Sequence, residues 1–311
     1  MDAVGLILMI GLASVFLLQI LAKFVWWPEL FTHFYLQYFL ISLVVGLICF
    51  FRKKIYRLSV AVVLIMLFSV QLLPYYYQNH ASAASDSVDQ MTILLSNFHY
   101  DNTNFQALTQ LTTEHNPDLI ALVEMPQKHF QTLQTLLPEY PYTYQVQDRD
   151  HQGIAVLAKY PFSGEPQVFW PAGQKFPVLS FVPTLKSNPF LARFYLIHPP
   201  PPLTKEAAQN RNDTFDWLGS YLPQQVGPIV VMGDFNSTSW SPEFVSLLRN
   251  THLLDSRANQ GLQPSWPTWA VKPLRIPIDH LLVSSEISVI DRQVLPSVGS
   301  DHFPVLIKLG Y

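Results

Sequence analysis

The chain has 311 residues, 49% of them hydrophobic, with 19 Lys and Arg, 22 Asp and Glu, and one cysteine. A single cysteine excludes an intrachain disulfide and a thiolate-based zinc site. From Asp86 onward 14 basic residues stand against 20 acidic ones, a net charge near −6 that argues against a protein gripping nucleic acid through a basic surface.

Taken in chain order, Val4 to Phe24 is almost wholly apolar, Phe34 to Phe51 nearly so, and Leu58 to Leu73 follows a short basic break. Runs of about 17–25 apolar residues suit the hydrocarbon core of a bilayer. Three membrane helices are therefore expected, at 4–24, 34–51 and 58–77, with Pro74 to Tyr77 completing the third. The start Met1-Asp2 lacks the basic n-region of a cleaved signal peptide, and no small-residue cleavage site follows Lys23. Arg52-Lys53-Lys54-Ile55-Tyr56-Arg57 carries four basic residues in six, whereas Lys23 to His33 holds one Lys and one Glu. By the positive-inside rule the amino terminus and the basic loop are cytoplasmic and everything after Tyr77 is outside. Trp26, Trp27 and Tyr75 to Tyr77 then fall at an outer aromatic belt. No ionisable residue lies deep within the spans, which excludes a channel or transporter.

The expected organisation is an anchor at 1–77, a linker at 78–90 containing Ala81-Ser82-Ala83-Ala84-Ser85-Asp86-Ser87, and one domain at 91–311. Within the domain, short β-branched runs predict strands at Met91 to Ser96, Asp118 to Val123, Gly153 to Ala158, Val178 to Val182, Ala192 to Ile197, Pro228 to Met232, Ile278 to Ser284 and Phe303 to Leu309. Helical periodicity marks Asn104 to Glu114, Gln127 to Leu137 and Lys205 to Tyr221, and Ser241-Pro242-Glu243 opens another helix. The sum is a mixed α/β domain with helices outside two packed sheets.

The strand ends carry the chemistry. Asn97 follows the first strand, Glu124 the second, and His198 the run ending at Ile197; Gly233-Asp234-Phe235-Asn236 follows Ile229 to Met232. Asp279 and His280 open one strand, and Asp301-His302 precedes the last. If the strand continued through Asp234 and Asn236, their side chains would point to the same side, a spacing suited to one phosphate; Gly-Asp-x-Asn is also ordinary turn chemistry. Six strand ends bearing carboxylate, carboxamide or imidazole on one rim of a sandwich converge in space.

In order and wording, Ser96-Asn97, Leu122-Val123-Glu124, Ile197-His198, Gly233-Asp234-Phe235-Asn236, Ile278-Asp279-His280 and Gly299-Ser300-Asp301-His302-Phe303-Pro304-Val305 resemble the endonuclease/exonuclease/phosphatase superfamily, with the fold of DNase I and exonuclease III. With Trp266-Pro267-Thr268-Trp269 and Leu274 to His280, the chain looks like a membrane-anchored bacterial branch of it. The resemblance implies a four-layer αββα sandwich and a phosphoester hydrolase, in first place a phosphodiesterase, acting on nucleic acid, a phospholipid head group or a small phosphoester. It implies that Glu124, with Asn97 and Asp301, holds Mg²⁺ or Mn²⁺, hard cations suited to oxygen ligands. It further implies that Asp234 aligns or deprotonates the attacking water, and that Asn236 donates to the transition-state oxygen. In the same pattern His302, oriented by Asp279, acts as base or phosphate ligand, and His198 contacts phosphate or assists the leaving group. The acid that orients His198 is not identified, and Arg149, His151 and Lys159 are candidates for a further phosphate contact. A non-catalytic envelope protein using the fold as a binding platform is the competing reading; every expected catalytic residue type is present, which does not favour it.

Overall fold

The computed structural model describes residues 2–77, 90–147, 153–173, 176–185 and 192–310. Apart from Gln90, the expected linker lies outside the described residues, as do Arg149 and His151.

Twelve strands form two six-stranded mixed sheets. The first contains β1 (Gln90–Asn97), β2 (Leu119–Val123), β3 (Tyr142–Val146), β4 (Ile154–Ala158), β11 (Ser288–Val294) and β12 (Val305–Gly310). The second contains β5 (Gln167–Phe169), β6 (Val178–Phe181), β7 (Arg193–Ile197), β8 (Ile229–Asp234), β9 (Leu254–Asp255) and β10 (Asp279–Val283). Their orders are β11-β12-β1-β2-β4-β3 and β5-β6-β7-β8-β10-β9. Period-two alternation assigns each side chain to a layer. Ile93, Leu95, Ala121 and Val123 of the first sheet meet Leu196, Val230, Met232 and Leu281 of the second in the central core. The intervening Leu94, Ile120 and Leu122 face outward against α4 (Phe105–His115) and α5 (Gln127–Leu136), through Leu108, Phe130 and Leu133. Tyr195, Val231 and Leu282 likewise face α6 (Lys205–Tyr221) and α7 (Pro242–Thr251), through Phe215, Leu218 and Phe244. Helix, sheet, sheet and helix stack in four layers, and central strands buried on both faces read as continuous apolar runs.

The topology brings functional ends to one rim. β1 runs parallel to β2 and antiparallel to β12, so the ends of the first two lie beside the start of the third. β7 is parallel to β8, and β10 is antiparallel to it with Asp279 opposite Asp234.

The amino-terminal region departs from the expected three spans. Among the described residues two helices are long and apolar enough to cross a membrane: Trp27–Phe51, combining a 3₁₀ segment at Trp27–Phe34 with α2 (Tyr35–Phe51), and Ile55–Tyr75, which contains α3 (Ile55–Leu72). The first apolar helix, α1 (Asp2–Leu21), ends before Phe24 and is not one of this pair; Gly5–Leu21 counts as a shorter apolar helix among the described residues. The chain between α1 and α2 also folds onto the domain instead of forming an open loop. Glu29 makes a buried ion pair with Arg211 at 2.6 Å and accepts from Ser241 Oγ at 2.7 Å. His33 Nδ1 lies 3.0 Å from Thr238 Oγ1. Trp240 Nε1 donates to Gln71 O at 3.0 Å, and its ring packs against Tyr35 and Tyr75.

Candidate active site

Asn97 and Asp234 continue the inward alternation of β1 and β8, so they meet between the two sheets. Asn97 Nδ2 donates to Asp234 Oδ2 at 3.1 Å and to Glu124 Oε1 at 2.9 Å. Glu124 follows β2 with φ +53, an unusual conformation for a non-glycine residue that turns its carboxylate into the cleft. His198 Nε2 lies 3.7 Å from Glu124 Oε1 and 3.8 Å from Asp234 Oδ2. Both distances exceed hydrogen-bond length, and neither ring nitrogen of this buried histidine has a hydrogen-bond partner among the described residues. Among the described residues no acid hydrogen-bonds His198.

On the other side, Asp279 Oδ2 lies 2.9 Å from His302 Nδ1, and His302 Nε2 lies 3.6 Å from Asp234 Oδ2. Asp279 is itself fixed: Ser265 Oγ accepts from its backbone N–H, and Arg292 donates to its carbonyl at 3.0 Å. Its neighbour His280 faces the opposite, outer side of β10. There His280 packs between Phe235 and Phe244, with Nε2 2.8 Å from Ser237 O, and takes no place in the cleft.

The strand does not continue to Asn236. β8 ends at Asp234, and Asn236 turns with φ +48; its backbone N–H donates back to Asp234 Oδ1 at 2.8 Å and its Nδ2 to Pro199 O at 3.0 Å. Gly233 has φ +145, and a Cβ there would sit 1.9 Å from Ile197 O. Only glycine lets β7 and β8 approach closely enough to hold His198 beside Asp234.

Asp301 is anchored through Oδ2 by Trp266 Nε1 at 3.0 Å, while its buried Oδ1 has no hydrogen-bond partner among the described residues. Lys159 is remote from this rim: its Nζ donates to Asn116 O at 2.7 Å.

Electrostatics separates the groups. Burial pushes the Asp234 carboxyl up to about 6, helped by the neighbouring Asp279 charge and partly offset by His302. Burial alone would lower His302, but Asp279 and Asp234 outweigh it and raise the imidazole to about 10. His302 is thus a cation at neutral pH, and Asp234 titrates near neutrality, where a base works best.

Among the described residues two clusters have the composition of a metal site: Glu124, His198 and Asp234, and Asp234, Asp279 and His302. Glu124, Asp234 and Asp301 all line the cleft, and among its described lining residues there is no Lys or Arg. Clustered carboxylates and a buried Asp301 oxygen without a partner among the described residues fit a hard divalent cation. Asn97 presents its amide nitrogen to the carboxylates, while its Oδ1 accepts from His99 N at 3.0 Å; ligation through oxygen requires the amide to turn.

The cleft, about 500 Å³, has further walls that sequence reasoning missed. Leu30, His33 and Phe34 come from the segment before α2, and Tyr100 from the turn after β1. The available signal was Glu29 and His33, polar residues in a short stretch between apolar runs.

Residues 93–302 match the model of the Endonuclease/Exonuclease/phosphatase family. The chain belongs to that family. Its members are phosphoester hydrolases that depend on divalent metal. No curated protein matches the chain in sequence. Among solved structures, a family protein from Bacteroides thetaiotaomicron is 18% identical, with 73% of this chain and 97% of that one covered and a TM-score of 0.59. A mannosyl-6-phosphatase from Bacteroides thetaiotaomicron VPI-5482 is 17% identical over 71% and 100% of the two chains, TM-score 0.59. A humanized D. rerio TDP2 is 14% identical over 71% and 99%, also with a TM-score of 0.59. At such identities the likeness concerns the fold.

Proposed function

We propose that this chain is a membrane-anchored, Mg²⁺- or Mn²⁺-dependent phosphoester hydrolase, in first place a phosphodiesterase, cleaving by in-line attack of water without a covalent intermediate. One observation carries the reading: Asp234 Oδ2 stands 3.6 Å from His302 Nε2, 3.8 Å from His198 Nε2 and 3.1 Å from Asn97 Nδ2. Glu124 and Asp301, with Asn97 once its amide turns, would hold the cation. When bound, that cation supplies charge to neutralise phosphate oxygens. Asp234 aligns the water and takes its proton. The His302 cation, held by Asp279, binds phosphate oxygen, and Asn236 donates where negative charge builds. His198, without a hydrogen-bond partner among the described residues, is available to the leaving group. Similarity to a mannosyl-6-phosphatase keeps phosphomonoesters within the reading.

The anchor places this site. Met9 of α1 packs with Val45, Cys49 and Ala61, alongside both longer helices. The outer side of the domain is supported by α2 and α3 alone. Glu29, just before α2, touches the domain, whereas the basic turn at Arg52 to Lys54 lies at the opposite end of a helix about 26 Å long. With that turn cytoplasmic, the catalytic domain is outside, at the outer face of a bacterial inner membrane.

The test is hydrolysis of a chromogenic phosphodiester and a phosphomonoester by the full-length protein after metal stripping. Activity should return with Mg²⁺ or Mn²⁺ and fall by at least about 100-fold in Asp234→Ala. Activity surviving both EDTA and that substitution would sink the mechanism.

A further inference from the structure

The apolar part of the cleft has no role in the chemistry above. Leu30, Phe34, Leu203, Trp266, Ile276 and Ile278 line it, in the same cavity as Glu124, His198, Asp234 and His302. Two of its walls lead to the expected membrane boundary. Leu30 and Phe34 belong to the turn that enters α2, a helix long and apolar enough to span a bilayer. Trp266 and Ile276 close the base of a loop through paired backbone hydrogen bonds, and the loop's returning limb leans on α2: Gln37 Nε2 donates to Pro273 O at 2.9 Å and Arg275 O at 3.2 Å. Between base and tip the loop exposes Trp269, Val271 and Leu274, at 80%, 65% and 58%. The same loop thus presents apolar side chains beside the start of a membrane helix and, through Trp266 and Thr268, hydrogen-bonds Asp301 at the site.

We propose that the cleft takes a phosphoester carrying an apolar chain, a lipid of the bilayer in which α2 and α3 sit. This rests on the hydrolase and membrane readings above and names their substrate class. The phosphate occupies the histidine and carboxylate end, and the chain runs along Leu30, Phe34 and Leu203 toward the loop tip. A polyanionic nucleic acid would need cationic walls, and among the described lining residues none is Lys or Arg. A small water-soluble ester would leave the apolar wall without a use, whereas each buried methylene of a lipid chain adds binding there.

The experiment uses the full-length chain in lipid nanodiscs with Mg²⁺ or Mn²⁺. The probes are methyl, butyl and octyl 4-nitrophenyl phosphate, and in parallel methyl and octyl phosphate. The expected octyl-to-methyl ratio of kcat/KM is about tenfold or more, since a hydrophobic pocket discriminates by this much for a few methylenes. Partition of the longer esters into the bilayer also raises that ratio, so the reading comes from Phe34→Ser and Leu203→Ser, at positions 36% and 70% exposed. Each should bring the ratio severalfold closer to one. A ratio near one in the parent protein, with methyl esters cleaved, overturns the lipid assignment and leaves the hydrolase standing. A high ratio that neither substitution changes assigns the effect to partition and likewise overturns it. Failure to cleave any diester or monoester with either metal removes the hydrolase reading, and this inference with it.

Discussion

Replacing Gly233 by Ala tests whether the approach of β7 to β8 builds the site. The added Cβ would stand 1.9 Å from Ile197 O and 2.9 Å from Ile197 C, where real contacts do not fall below 3.0 Å, so something must move by at least 1.1 Å (3.0 − 1.9). Both neighbours are backbone, and no side chain can swing away. Ile197 and Gly233 are register partners, so the movement separates His198 from Asp234. A misplacement of about 1 Å costs on the order of 100-fold in rate. The φ of +145 adds strain of about 1–3 kcal/mol, and with the clash the expected loss of stability is about 3 kcal/mol. For a domain of this size that lowers Tm by roughly 6–12 °C. Gly164→Ala separates the two contributions: φ there is +81 but a Cβ meets nothing within 4 Å, so only conformational strain of about 1–2 kcal/mol is expected, with activity retained. Steady-state hydrolysis and thermal unfolding of both variants are the assays. Gly233→Ala with more than a third of parent activity and an unchanged Tm would refute the packing argument.

The remaining predictions concern charge. His302 has a folded-state pKa raised to about 10, so its contribution to stability is complete below the unfolded value near 6.5 and disappears as pH rises through about 10. Melting curves should fall across that window, and Asp279→Asn, which removes the largest counter-charge, should flatten them; an equal slope in both proteins would contradict the pairing. The same variant should lose roughly 10²–10⁴ in kcat through a mispositioned imidazole, read in the chromogenic assay. Glu29→Leu leaves Arg211 buried and unpaired and should cost about 3–5 kcal/mol, whereas Glu29→Leu with Arg211→Leu should recover much of it, measured by denaturation of both proteins in detergent.

Legibility followed burial. The eight strands expected from the sequence are the interior ones, apolar on both faces, while β3, β5, β9 and β11 escaped notice, and these four are the edges of the two sheets. An edge strand such as Ser288–Val294, with Asp291, Arg292 and Gln293 in its middle, carries neither a continuous apolar run nor clean alternation. The ends Asn97, Glu124, His198 and Asp234 were legible because polar residues interrupt apolar strands there. The local turn at Asn236 was not, since its φ of +48 depends on bonds to Asp234 and to Pro199, the latter 37 residues away. In Asp279-His280, strand geometry decides which residue serves the site: Asp279 shares the inward face of Leu281, and His280 the outward face of Leu282. Hydropathy at the amino terminus does not register that the segment following α1 folds onto the domain.

That docking changes what the anchor is. A tether needs only length and apolarity, and Trp27–Phe51 and Ile55–Tyr75 satisfy both. The segment entering α2 instead buries Glu29 against Arg211 and Ser241, sets His33 against Thr238 two residues beyond Asn236, and places Leu30 and Phe34 in the cleft wall. Arg257 provides a second attachment: its guanidinium pairs with Asp255, lies over the Tyr75 ring at 4.6 Å, and bonds Ser239 three residues after Asn236. Both apolar segments thus bear on the short stretch from Asn236 to Ser241 that follows the Gly233-to-Asn236 turn. Without residues 27–75 the domain would lose Glu29, the buried charge partner of Arg211, the Gln71 and Tyr75 contacts of Trp240, and one wall of its cleft.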